Sequence, residues 1–188
     1  MQTLQMESGA VIPDYRETLE LKDGRRVTLR PIRPDDAPRL QQGFARLSPQ
    51  SIYMRFLQAA SGLSDEQARQ LATVDYVRRM ALVAVVEDDD GERLVAVARY
   101  SMIEGDEPGL AEAAIIVGDR YQGVGLGKAL MKRLLQYGSQ HGVRKLVATV
   151  HSSNARITRF ITQSGLPYER KMLEPGVWEY RIRLKEEA

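Results

Sequence analysis

Residues 112–128 bring together a glutamate inside an apolar segment, a glutamine, three alternating glycines and a lysine. The apolar residues Ala113, Ala114, Ile115, Ile116 and Val117 read as a strand. Gln122, Gly123, Val124, Gly125, Leu126, Gly127 and Lys128 then open a segment of helical period over 126–137. Strand, glycine turn and helix start make a phosphate cradle. Glycines let backbone N–H groups approach an anion, and the helix N-terminus adds partial positive charge. The bland alternative is a tight strand-to-helix turn, but glycine at a helix start costs about 1 kcal/mol relative to alanine. Lys128 either adds a charge to a phosphate or solvates the helix surface. The order G-x-x-x-x-G-K-[ST] is absent, so the loop is not a Walker A motif. Its G-x-G-x-G spacing also departs from the dinucleotide fingerprint.

Glu112 is the second chemical feature. A glutamate within an apolar strand is expensive unless it is paired or faces a cavity. Partial burial would suit it to proton transfer near neutral pH. The alternatives are an exposed residue at a strand end and a partner for an arginine. Asn154 reads as a helix N-cap, and His151 is more often structural than a relay when it stands alone.

The surrounding pattern predicts the elements that hold these groups. Segments 18–21 and 26–32 flank K-D-G at 22–24, a hairpin turn. Asp35 is expected to cap a helix reaching about Leu47. Ser48-Pro49 places a cap and an N1 proline before a second helix. S-D-E-Q at 64–67 is a capping-box pattern ahead of a third helix reaching about Thr73. Strands are expected over 81–87, 94–103, 110–117 and 145–151, a helix over 154–164, and a closing hairpin of 168–173 with 177–184. Antiparallel strands first and one crossover later imply a mixed, mostly antiparallel sheet with helices on both faces, an α/β (α+β) fold. Residues 1–15 are expected as an N-terminal arm and 16–188 as one domain.

Composition bounds the function. The chain has 188 residues, 43% of them hydrophobic, enough for one core. No cysteine is present, which excludes disulfides, thiolate zinc sites and a cysteine nucleophile. With two histidines, no metal site is expected. A net charge of +2 gives no electrostatic support for nucleic-acid binding. No apolar stretch is long enough to span a membrane, and the start lacks the pattern of a signal peptide. A cytoplasmic location is the expectation, and the oligomeric state stays open.

Q-x-x-G-x-G at 122–127 resembles the pyrophosphate motif of the GNAT acyltransferase superfamily. The resemblance extends over most of residues 20–184, with Glu112 before the strand and Asn154 after the next one. L-R-P-I-R-P-D-D at 29–36, L-S-P-Q-S at 47–51 with Tyr53 and Arg55-Phe56, and V-D-Y at 74–76 resemble the acetyltransferase domain of bacterial protein lysine acetyltransferases. The resemblance implies the GNAT fold, with a splayed parallel strand pair at the cofactor site. It implies transfer of an acetyl group from acetyl-CoA, without a metal, to a primary amine. A protein lysine is the favoured acceptor, and an amino acid or polyamine the alternative; a non-catalytic acyl-CoA sensor is a third class. It further implies that Gln122 to Lys128 hold the pyrophosphate, that the backbone of Ile115, Ile116 and Val117 meets the pantetheine arm, that Asn154 contacts the cofactor, and that Glu112, in A-E-A-A, is the general base. The superfamily often has a tyrosine after the aromatic residue of the following helix, to protonate the departing thiolate. Here that place reads Phe160-Ile161. Tyr168 is a weak substitute. Asp75 is an acceptor-binding candidate, with helix capping and interhelix salt bridging as its alternatives.

Overall fold

The computed structural model describes residues 13–89 and 91–184. Most of the expected N-terminal arm, residues 1–12, lies outside the described residues, as does Asp90 in the turn expected at 88–91. Eight strands form one sheet: β1 (Glu17–Glu20), β2 (Arg26–Pro31), β3 (Arg79–Asp88), β4 (Gly91–Met102), β5 (Leu110–Val117), β6 (Lys145–His151), β7 (Tyr168–Glu174) and β8 (Val177–Arg183). Their order is β1-β2-β3-β4-β5-β6-β8-β7. All neighbours are antiparallel except β5 and β6. The mixed sheet expected from the order of elements is the one observed. The parallel neighbours, β5 and β6, are joined by a crossover that runs through a helix.

Five α-helices accompany the sheet: α1 (Ala37–Ala45), α2 (Pro49–Phe56), α3 (Asp65–Ala72), α4 (Leu126–Gln140) and α5 (Ala155–Thr162). Alternation along β4 shows the two-sided arrangement. Tyr100 points at α4, where a Cβ on Gly138 would lie 3.2 Å from its ring. Arg99 points the other way and donates to the Leu71 carbonyl of α3 at 2.9 Å. Leu126, Leu130, Leu134 and Gly138, four residues apart, give α4 its buried stripe.

The helix starts follow local chemistry with one exception. The Ser48 hydroxyl accepts from Ser51 N–H at the head of α2, and Ser64 and Gln67 form the capping box of α3. Asp35 does not cap α1. A short 3₁₀ turn over Pro34–Asp36 precedes that helix, and Asp36 stands at its N-cap without a side-chain capping bond. The Asp36 carboxylate turns inward instead, taking both Arg30 guanidinium nitrogens at 2.7 and 2.8 Å and the Arg33 N–H at 2.8 Å. Arg30 is 1% exposed. A buried cation must find anions, and Glu92 supplies the second at 2.6 Å. Asp36 thus serves the buried cation, and its bond from Arg33 N–H also closes the capping box of the 3₁₀ turn.

One irregularity aims the chain at the site. The β3–β4 register shifts between Ala84 and Val85, leaving Val95 as an extra residue on β4. The Val95 carbonyl accepts the N–H of Gly118, the residue after β5, at 2.8 Å. The bulge thus ties down the place where the chain leaves the sheet for the glycine loop.

Candidate active site

β5 and β6 are hydrogen-bonded over three register pairs, Leu110 with Lys145, Ala111 with Leu146 and Glu112 with Val147. Beyond Glu112 the strands part. Ala113 to Val117 keep their antiparallel partners on β4, so one edge of this stretch is paired and the edge facing β6 is not. Backbone groups with no ladder partner can be satisfied by an extended amide-bearing ligand acting as the missing strand. A cavity of about 280 Å³ fills the gap. Glu112, Ala113, Ala114 and Ile115 line one wall, Ala148 to Val150 the other, and Asn154, Ile157 and Phe160 the floor.

The glycine loop sits at the open end of the split. Gly123 and Gly125 adopt φ of 80° and 92°, and Gly125 is the N-cap of α4. Among the described residues, no acceptor takes the backbone N–H groups from Gly123 to Lys128. Consecutive free donors at a helix N-terminus make an anion site. Gly127 differs: its φ is ordinary and a Cβ there would meet Val117 at 3.4 Å and Ile115 at 3.5 Å, ordinary contact distances, so neither backbone nor space requires glycine. Lys128 is exposed. The aliphatic chain of Lys22, from the β1–β2 turn, runs past Gly125, and Lys22 N–H donates to the Val124 carbonyl at 3.3 Å. Residue spacing did not suggest Lys22, because only the folded hairpin brings it to the loop.

Gln122 is held from three sides. Its amide donates to the Val117 carbonyl at 2.9 Å and to the Ser51 hydroxyl at 3.0 Å, and its oxygen accepts from Arg156 of α5. The side chain therefore clamps the loop to α2, β5 and α5. Asp119 adds a second clamp, accepting from Ser48 N–H and hydroxyl at 2.8 Å and from the Ser51 hydroxyl at 2.7 Å. Burial opposes its negative charge, but these donors prevail and hold the carboxyl below its ordinary value.

Glu112 is exposed, not partly buried as its apolar setting suggested. It stands where β5–β6 pairing ends, so its case rests on position. Asn154 caps α5 as expected, its oxygen accepting from Ile157 N–H at 3.2 Å, and the residue also lines the cavity. His151 ends β6, with Nδ1 2.7 Å from the Ser153 hydroxyl and its ring edge-on to Tyr53 at 5.4 Å. Tyr168 lies 40% exposed on edge strand β7, tilted against Tyr180 at 5.9 Å, and does not line the cavity. Asp75 is committed to its own turn, accepting from the N–H groups of Val77, Arg78 and Arg79 at 2.9, 2.6 and 2.9 Å. That turn carries Tyr76 at a φ of 62°.

Comparison with known proteins bears on this geometry. A sequence profile described as the acetyltransferase (GNAT) domain matches residues 26–167. The chain is 37% identical over 134 residues to acetyltransferase PA5475 of Pseudomonas aeruginosa, covering 71% of each protein. It is 30% identical over 155 residues to acetyltransferase Pat of Mycolicibacterium smegmatis, covering 82% of this chain and 45% of that one. Among solved structures, the GNAT domain of S. lividans PAT superposes with a TM-score of 0.79 at 27% identity, over 90% of this chain and 97% of that domain. A cAMP-binding acyltransferase from Mycobacterium smegmatis superposes at 0.60 with 26% identity, over 91% of this chain and 48% of that one. The split strands, the cradle of free N–H groups and these matches agree: the chain belongs to the GNAT acetyltransferase family and is an N-acetyltransferase.

Proposed function

We propose that the chain moves an acetyl group from acetyl-CoA to a primary amine by direct attack, with Glu112 as general base and a protein lysine as the favoured acceptor. The observation that carries this reading is the coincidence of three features on one line. The N–H cradle lies at one end of the split, the unpaired edge of Ala113–Val117 runs along it, and Glu112 stands at the fork. The cradle suits a pyrophosphate, the unpaired edge suits the amides of a pantetheine arm, and both are carried by residues 115–117 and 122–128. The Asn154 side-chain NH₂, which has no partner among the described residues, adds a donor on the cavity floor.

Acetyl-CoA supplies a thioester carbonyl. An attacking amine must be neutral, so the ammonium proton has to leave first. The Glu112 carboxylate accepts it directly or through one water. A β5 backbone N–H on the unpaired edge is the donor available to the oxyanion that develops. No tyrosine lines the cavity, so the C–S bond breaks to release a thiolate that takes its proton from water. With a thiol pKa of about 8.5 it is a fair leaving group. The lysine acceptor draws support from the resemblance of residues 29–36, 47–56 and 74–76 to bacterial protein lysine acetyltransferases. The work would then be done in the cytoplasm, where acetyl-CoA is made.

The test is Glu112→Gln. It is expected to keep acetyl-CoA affinity and lose about 10²–10⁴-fold in transfer rate, with the deficit shrinking at high pH as more amine is already neutral. Wild-type turnover near neutral pH in this variant would place the base elsewhere, His151 being next. Labelled acetyl-CoA added to a cell lysate, then split into protein and small-molecule fractions, tests the acceptor.

A further inference from the structure

Two arginines on the Glu112 side of the sheet form no ion pair among the described residues. Arg99 stands opposite Ala114 in the β4–β5 ladder, and Ser101 stands opposite Glu112. Opposed residues share a face, so Arg99 and Glu112 are diagonal neighbours on one side of the sheet, within reach of each other's long side chains. Arg55 descends from α2 onto the same place. It lines the cavity that holds Glu112 and also a second cavity of about 720 Å³ under α1–α3, which Arg99 lines as well. Arg99 makes one hydrogen bond, to the Leu71 carbonyl. The Arg55 guanidinium lies 4.9 Å from the Phe56 ring centre. Among the described residues neither guanidinium forms an ion pair. The acidic residue lining the larger cavity, Asp119, has both oxygens taken by Ser48 and Ser51.

The electrostatics agree with the geometry. Burial, then the nearby charges of Arg55 and Arg79, push Arg99 down to about 10. Burial also lowers Arg55, and the Glu112 charge opposes that shift. Two half-buried like charges destabilise each other, and the exposed Glu112 carboxylate, which forms no ion pair with either, offsets this only at Arg55. An arrangement of this kind is expensive unless something anionic is held there. The guanidinium fork matches a carboxylate.

We propose that Arg55 and Arg99 form a carboxylate-reading subsite for the acceptor, holding an anionic group of the amine substrate in the larger cavity while its amine faces Glu112. The proposal rests on the reading of Glu112 as the base. It names a specificity device: an acceptor bearing a carboxylate near its amine is preferred to the same amine without one. The cations also disfavour an ammonium beside them, which helps the amine reach its neutral, reactive form. The carboxylate has two sources, the α-carboxylate of a free amino acid or an acidic side chain next to a peptide lysine.

The experiment compares matched acceptors with the wild-type protein and acetyl-CoA. One pair is free lysine and pentane-1,5-diamine; the other is a lysine peptide with a neighbouring glutamate and its glutamine counterpart. The carboxylate-bearing member of one pair is expected to show about 10- to 100-fold higher kcat/KM, the range of a charge-assisted hydrogen bond, and which pair does so identifies the source. Arg99→Met and Arg55→Met should remove the preference, and Arg99→Lys should restore part of it. Equal kcat/KM within both pairs overturns the subsite and leaves acetyl transfer standing, as does a preference that survives both methionine variants. A binding arm separates the two readings. Calorimetry with CoA present compares Nε-acetyllysine with N-acetylcadaverine on the wild type and Arg99→Met. No turnover of any amine, with tighter Arg99-dependent binding of Nε-acetyllysine, supports the subsite and removes the acceptor reading. No turnover and no binding difference overturns both.

Discussion

Replacing Gly125 by alanine changes one methyl group in the cradle, and its cost can be worked from the backbone. Gly125 holds a φ of 92° at the N-cap of α4. The space is open: the nearest atom to an added Cβ is Lys22 Cε at 3.7 Å. The penalty is therefore conformational and not steric, about 1–2 kcal/mol for an L-residue in the left-handed region. Gly123 next door also has nothing within 4 Å of an added Cβ, so the loop has room to relax. Relaxation turns the N–H groups away from a common point, and the lost energy appears as lost anion affinity of about 5- to 30-fold. Valine, branched at Cβ, should lose more and abolish measurable CoA binding. Calorimetry with CoA reads the affinity, and thermal unfolding checks that the domain persists. Gly127→Ala is the control, the same chemical change two residues on, where φ is ordinary and the new Cβ meets Val117 and Ile115 at contact distance. It should bind CoA as the wild type does. Unchanged affinity in Gly125→Val, or an equal loss in Gly127→Ala, would refute the argument from backbone conformation.

Asp36→Ala leaves the buried Arg30 guanidinium without its fully buried, two-pronged partner and should cost about 3–5 kcal/mol in chemical denaturation; a loss below about 1 kcal/mol would mean that Glu92 alone suffices. The Arg133 guanidinium, with the Tyr15 hydroxyl, holds the Glu17 carboxyl down at about 2 from an ordinary 4.5. A depressed folded-state value stabilises above the ordinary one and is lost as pH falls through the folded one. Glu17→Gln should thus flatten the stability–pH curve between about 4.5 and about 2, and identical acid limbs would contradict the assignment. Tyr168→Phe should change the transfer rate by less than about tenfold, because the residue lies on β7 away from the cavity; a larger drop would make it the acid that protonates the thiolate.

Local chemistry determined much of this protein from sequence alone. The helix caps at Ser48 and Ser64, the turn at 22–24, the 145–151 strand and the glycine loop all appear where period, capping and turn residues put them. These are interactions among near neighbours, and near neighbours are visible in a linear string. The cradle of free N–H groups was legible for the same reason, since a strand, a loop and a helix start are contiguous. Three things required the tertiary structure. Asp35 does not cap α1, because the chain first makes a 3₁₀ turn that points Asp36 at Arg30, buried six residues away, and burial is not a local property. Gln122 and Asp119 proved to be clamps because α2 packs against the loop from about 70 residues earlier in the chain. Arg99 became a neighbour of Glu112 only through the antiparallel register of β4 and β5. The proposed acceptor side draws on α2, β4 and β5, and its charges have meaning only once strand pairing has set which side chains share a face.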